Sequence, residues 1–167
     1  MGSLLAHTWD IQPDVLPHLV ANNCVTLLNT LQSMKRYKLF ENQAASKVVF
    51  ISAAAAVRVK QELGLDSAQK GAGHNLIRNI ALDLTPENIF VTEIMPGSTD
   101  TGFFDNDYTL ETAVRITKNL GYHPTKETYP VFTAEQIGDA AKYVLDAKCN
   151  VRELVLLPYG QFPHLGA

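Results

Sequence analysis

The apolar positions of this chain follow two rhythms. Leu16, Leu19, Val20, Cys24, Leu27, Leu28, Leu31 and Met34 recur at helical spacing and share one broad face. Asp14 is placed to cap that helix, which runs to about Tyr37, and Pro17 falls in its first turn, where a missing N–H is harmless. Lys47 to Ser52 then reads KVVFIS, β-branched, aromatic and apolar on both faces, as a buried parallel strand does. Helical spacing returns from Ser67 to Leu84, with Leu76, Ile77, Ile80, Ala81 and Leu84 in one stripe and Asp66 with Gln69 as a capping box. Pro86 and Asn88 close this helix, and Phe90 to Met95 is the next strand. Strand, helix and strand at this spacing predict a βαβ unit. Loops beyond the carboxyl ends of such strands hold ligands in α/β proteins, which points to Ser52–Ala54 and Gly97–Thr101.

The remainder predicts an excursion and a second unit. Residues 98–132 are a long connection with a short helix from Leu110 to Leu120, the kind of segment that serves as a lid or substrate loop. Thr133-Ala134-Glu135-Gln136 is a capping box that opens a helix to about Lys148, and Glu153 to Pro158 is a third strand. Residues 1–13 read as an arm and residues 14–167 as one α/β domain.

Composition narrows the classes. The chain has 167 residues, 46% hydrophobic and 19% charged, with a formal charge of -3 and no basic stripe, so nucleic acid is not an expected partner. Cys24 and Cys149 lack metal or redox spacing, and the five histidines lack the spacing of metal ligands. No apolar run is long enough to span a bilayer and no secretory leader is evident, so a cytoplasmic protein without a membrane partner is expected. No Gly-x-Ser-x-Gly elbow is present, which argues against a hydrolase.

Read with its motifs, this order of elements resembles the C-terminal half of a short-chain dehydrogenase/reductase, from about Asp14 to Gln161. KVVFIS resembles the strand that ends at that family's active-site serine, and Lys70 resembles the lysine of its Tyr-x-x-x-Lys motif. Pro96-Gly97-Ser98-Thr99-Asp100-Thr101 resembles the Pro-Gly-x-x-x-Thr loop that touches the nicotinamide end of the cofactor. NVRELVLLPYGQ resembles the last strand of NADP-type members, and Asn23, or its neighbour Asn22, sits where the family keeps an asparagine. The resemblance implies a truncated Rossmann-like, doubly wound parallel sheet of about three strands with long helices. It also implies a homodimer through the two long helices, with the exposed edge of the first strand inviting further pairing.

The departures bear on chemistry. No Gly-x-x-x-Gly-x-Gly phosphate loop occurs in this sequence. Asp66 stands at the position of the family's tyrosine, and its serine position falls on Ala53, one residue after Ser52. An aspartate does not replace a phenol that passes a proton to a carbonyl. The expectation is therefore an enzyme without cofactor or metal, an isomerase, cyclase or dehydratase acting on a small organic substrate. Asp66, Lys70, Ser52 and Asn23 are its candidate catalytic residues, and Thr101, Ser98, Tyr122 and His123 its candidate substrate contacts. Two alternatives stand beside it: a non-catalytic partner subunit, and a fragment or subunit of an NADP-dependent oxidoreductase. For Asp66 and Lys70 the plain reading is a helix cap with a surface ion pair, and for Tyr122 and His123 it is surface packing.

Overall fold

The computed structural model describes residue 10, residues 12–102, residue 105, residues 107–119 and residues 123–161. Helix α1 spans Val15–Arg36, with Lys35 and Arg36 in the last turn, where the helix dipole favours cations. Its cap is not the one expected: Asp14 has helical angles and its side chain makes no cap bond. Strand β1 is Ser46–Ile51, a 3-10 turn covers Ala54–Ala56, and helix α2 covers Gly64–Leu84. Helix α2 thus starts three residues before the expected Ser67. Leu65 is buried and draws the first turn onto the core, so Asp66 lies inside the helix rather than capping it. Strand β2 is Ile89–Pro96.

Strand β3 (Thr99–Asp100) and strand β4 (Phe132–Thr133) pair in parallel as a small second sheet, which the periodicity did not reveal. Between them, helix α3 covers Asp107–Asn119. Helix α4 covers Ala134–Asp146 and carries the expected Thr133–Gln136 capping box. Strand β5 is Glu153–Leu156.

The main sheet has the order β1-β2-β5, all parallel, with Val48 opposite Val91 and Ile94 opposite Leu154. Among the described residues β1 is an edge, and Ile51 at its end is exposed. Alternation along the strands separates the two faces. Val48, Ile89 and Val91 face α1 and α2, where they join Leu27, Leu31, Ile77, Ile80, Ala81 and Leu84 in one apolar cluster. Lys47, one residue away, points to the other face, where its Nζ meets the end of α4. Helices therefore cover both faces, as in a doubly wound sheet.

Candidate active site

A pocket of about 580 Å³ opens at the carboxyl ends of β1 and β2, a size suited to a small molecule. Helices α3 and α4 supply part of its wall through Ala113, Ile116 and Ile137. Arg115 on α3 makes a paired contact with Glu62 (both N···O distances 2.6 Å), tying that wall to the turn before α2.

Two hydrogen-bonded chains end on the pocket. The first begins at Asn23 on α1, whose Nδ2 donates to Gln69 Oε1 at 2.9 Å, and Gln69 Nε2 donates to Asp66 Oδ1 at 2.9 Å. Gln69 and Asp66 line the pocket, and Asn23 stands behind them. The second begins at Ser52, whose hydroxyl donates to Glu93 Oε1. The other oxygen of Glu93 lies 2.7 Å from His74 Nδ1. Glu93 has no exposed surface and His74 is 7% exposed, while Ser52 lines the pocket. Burying a carboxylate is costly unless it is hydrogen-bonded, and here both oxygens are engaged.

At the loop after β2, the Gln161 carboxamide takes the Ser98 N–H at 2.9 Å and gives a hydrogen bond to Ser98 Oγ at 2.6 Å. Ser98 Oγ also lies 3.3 Å from the Tyr129 hydroxyl. Gly97 suits the close approach there: a Cβ would sit 2.8 Å from Pro158 Cδ and would displace the Gln161 carboxamide.

The family model described as short chain dehydrogenase matches residues 5–111. The chain belongs to the short chain dehydrogenase family. Its fold is similar to a short chain dehydrogenase from Burkholderia cenocepacia in complex with NADP (16% identity, TM-score 0.65, covering 94% of this chain and 56% of that one). It is also similar to an NADPH-bound short chain oxidoreductase from Pseudomonas aeruginosa that contains an atypical catalytic center (12%, TM-score 0.73, 94% and 61%). A third is a short chain dehydrogenase from Mycobacterium paratuberculosis bound to NAD (20%, TM-score 0.72, 91% and 58%). The chain spans 56–61% of the length of these three structures. At such identities the likeness establishes the fold. No curated protein matches the sequence significantly.

As a short chain dehydrogenase family member, the chain brings most of its candidate residues to one place. Ser52, Asp66, Lys70, Ser98 and Thr101 all line the pocket, and Asn23 reaches it through Gln69. The expected Asp66–Lys70 ion pair does not form. Gln69 engages the carboxylate, and the Lys70 ammonium makes no hydrogen bond or ion pair with a described residue. His123 is exposed and does not line the pocket, because the segment before β4 carries it outward; Tyr122 lies outside the described residues.

The sequence reading missed Glu93, His74 and Gln161, and took Gln69 only as part of a helix cap. A charge inside the strand FVTEIM is a local inconsistency of the kind functional sites produce, and it was the one available signal for Glu93. Among the described residues no cluster of three or more His, Cys, Asp or Glu could hold a metal ion, and no helix is long and apolar enough to cross a membrane. On the outer surface, the Lys142–Asp146 hydrogen bond raises the lysine's pKa and lowers the carboxyl's.

Proposed function

We propose that the pocket performs acid–base chemistry on a small organic molecule without hydride transfer: an isomerisation, cyclisation or dehydration. One observation carries this reading. Ser52 presents its oxygen to the pocket while its proton points to a fully buried carboxylate that is itself held by a histidine. In such a chain a substrate proton passes to Ser52 Oγ as the serine's own proton passes to Glu93 Oε1. The proton returns to a new substrate position by the reverse path. Lys70 supplies positive charge where an oxyanion develops, in a largely apolar cavity where that charge acts strongly. Asp66, fixed by Gln69 and Asn23, orients the substrate.

The loop after β2 also supports the reading. The backbone N–H and hydroxyl of Ser98 in that loop already hold the Gln161 carboxamide, which favours a site that works without a nicotinamide there. The segment 98–132 acts as a lid, with α3 as its pocket wall and the Arg115–Glu62 pair as its clasp. A second copy of the chain covers the exposed Val25 and Leu28 of α1 and Leu82 of α2. The cytoplasm is the compartment.

A second reading is an NAD(P)-dependent oxidoreductase, favoured by the family and by the NADP-, NADPH- and NAD-bound structures above. Two measurements separate them. Titration with NADPH, followed by nicotinamide fluorescence, is expected to show no binding up to millimolar concentration. Incubation of small ketones, enones and keto acids with the protein in D2O is expected to give deuterium exchange that Ser52→Ala and Glu93→Gln abolish. Micromolar NADPH binding coupled to substrate reduction would establish the second reading in place of the first.

A further inference from the structure

Arg58 belongs to neither hydrogen-bonded chain. It follows the 3-10 turn, where its backbone N–H donates to Ala54 O at 2.7 Å, and its side chain lines the pocket. Its Nε is buried and has no hydrogen-bond partner among the described residues. A guanidinium N–H removed from water without an acceptor is costly, and native structures rarely leave one so. A ligand in the pocket that Arg58 lines would bring this guanidinium the acceptor it lacks among the described residues.

The charge around the pocket points the same way. Among the described residues three cationic side chains line it (Arg58, Lys60 and Lys70) against one carboxylate, Asp66, a balance of three minus one, or +2. Lys60 already has a partner, and Gln69 engages Asp66. Arg58 and Lys70 therefore face the cavity with their charge uncommitted to any described residue. Leu63, Ile116 and Ile137 offer an apolar surface beside them.

We infer that the ligand of this pocket is a small carboxylate with an apolar body. Arg58 binds the carboxylate, Lys70 adds the second positive charge, and the apolar body packs on Leu63, Ile116 and Ile137. A planar guanidinium matches a carboxylate through paired N–H···O bonds, which a neutral ligand cannot accept as strongly. The inference names the substrate class of the acid–base site and rests on that reading for turnover; binding does not depend on it.

The test uses the full chain and three probes: benzoate, the neutral benzyl alcohol and inorganic phosphate, each titrated by amide NMR. Benzoate is expected to bind roughly tenfold more tightly than benzyl alcohol, the factor that one charge-assisted contact supplies. Arg58→Gln should erase the preference, and Arg58→Lys, which keeps the charge but not the fork, should restore part of it. Equal affinity for the two aromatic probes, or a preference unchanged in Arg58→Gln, overturns the inference. Phosphate binding without benzoate binding overturns the carboxylate assignment. A chain that binds benzoate through Arg58 yet exchanges no deuterium keeps this inference and loses the acid–base reading.

Discussion

Strand β2 shows two interiors on one face. At its start, Ile89 and Val91 lie in a wholly apolar cluster with Ile77, Ala81 and Leu84 of α2. Two positions on, the same face carries Glu93, and the same helix answers with His74. Both regions exclude water, and both are satisfied, but by different means. The lower region is held by apolar area, which is non-directional and tolerant of exchange among similar side chains. The upper region is held by hydrogen bonds from specific atoms, so each member fixes the next. A protein that needed only stability would continue the apolar pattern. The change to a polar chain occurs where the strand reaches the pocket, and its last member, Ser52, lines that pocket.

The largest effect is expected in the lower region. Ile77→Ala removes a buried side chain from the apolar cluster and should cost about 2–5 kcal/mol in urea unfolding, because the site cannot fully collapse. In the upper region Glu93→Gln keeps the volume but changes an acceptor into a donor at one atom. It should cost about 1–3 kcal/mol, the penalty for a buried group left without its partner. The two differ in kind as well as size. Ile77→Ala should leave deuterium exchange intact once the protein is folded, whereas Glu93→Gln should abolish it. A Glu93→Gln protein with wild-type exchange would mean that the polar chain is structural.

The lower region was legible in the sequence and the upper one was not, for a physical reason. Ile77, Ile80, Ala81 and Leu84 repeat at helical spacing, so their common face follows from period alone. The polar chains join residues far apart: 46 positions separate Asn23 from Gln69, and 63 separate Ser98 from Gln161. No local pattern encodes such a contact. Ser52, Asp66, Lys70, Ser98 and Thr101 were found because strand ends and motif positions mark them, and the structure does place them at one pocket. The sequence pairs Asp66 with Gln69 only as a cap; in the structure the two side chains bond each other, and Lys70 is left without an ion pair to Asp66. His123 fails for the converse reason: a histidine beside prolines carries no information about which way its loop turns.

Helix α4, on the opposite face of the sheet, sharpens the comparison because it is secured at its ends. Lys47, from β1, donates to Val144 O and Leu145 O at 3.0 Å and to Ala147 O at 2.6 Å, closing carbonyls that the helix leaves unpaired. Lys47→Met keeps most of the apolar stem and removes the ammonium. It should cost about 1–2 kcal/mol, through the lost charge at the helix C-terminus and its hydrogen bonds. Deuterium exchange should survive, since nothing in either polar chain touches Lys47.

The smallest effect is expected at the other end of the same helix. The Thr133 hydroxyl accepts the Gln136 N–H at 3.2 Å, and the Gln136 side chain accepts the Thr133 N–H at 2.9 Å. Thr133→Ala removes half of this reciprocal cap and should cost about 1 kcal/mol in urea unfolding. Its value lies in where the helix leads, because Ala134 and Ile137, in the first turns of α4, line the pocket. If the pocket's binding depends on a rigid wall, benzoate should weaken in step with the lost cap. If it depends on Arg58 and the polar chains, benzoate affinity should stay within about twofold while stability falls, since a change under about 0.4 kcal/mol is less than a factor of two. The second outcome is the one expected. It would place the specificity of this site in its directional contacts and assign α4 the role of a cover.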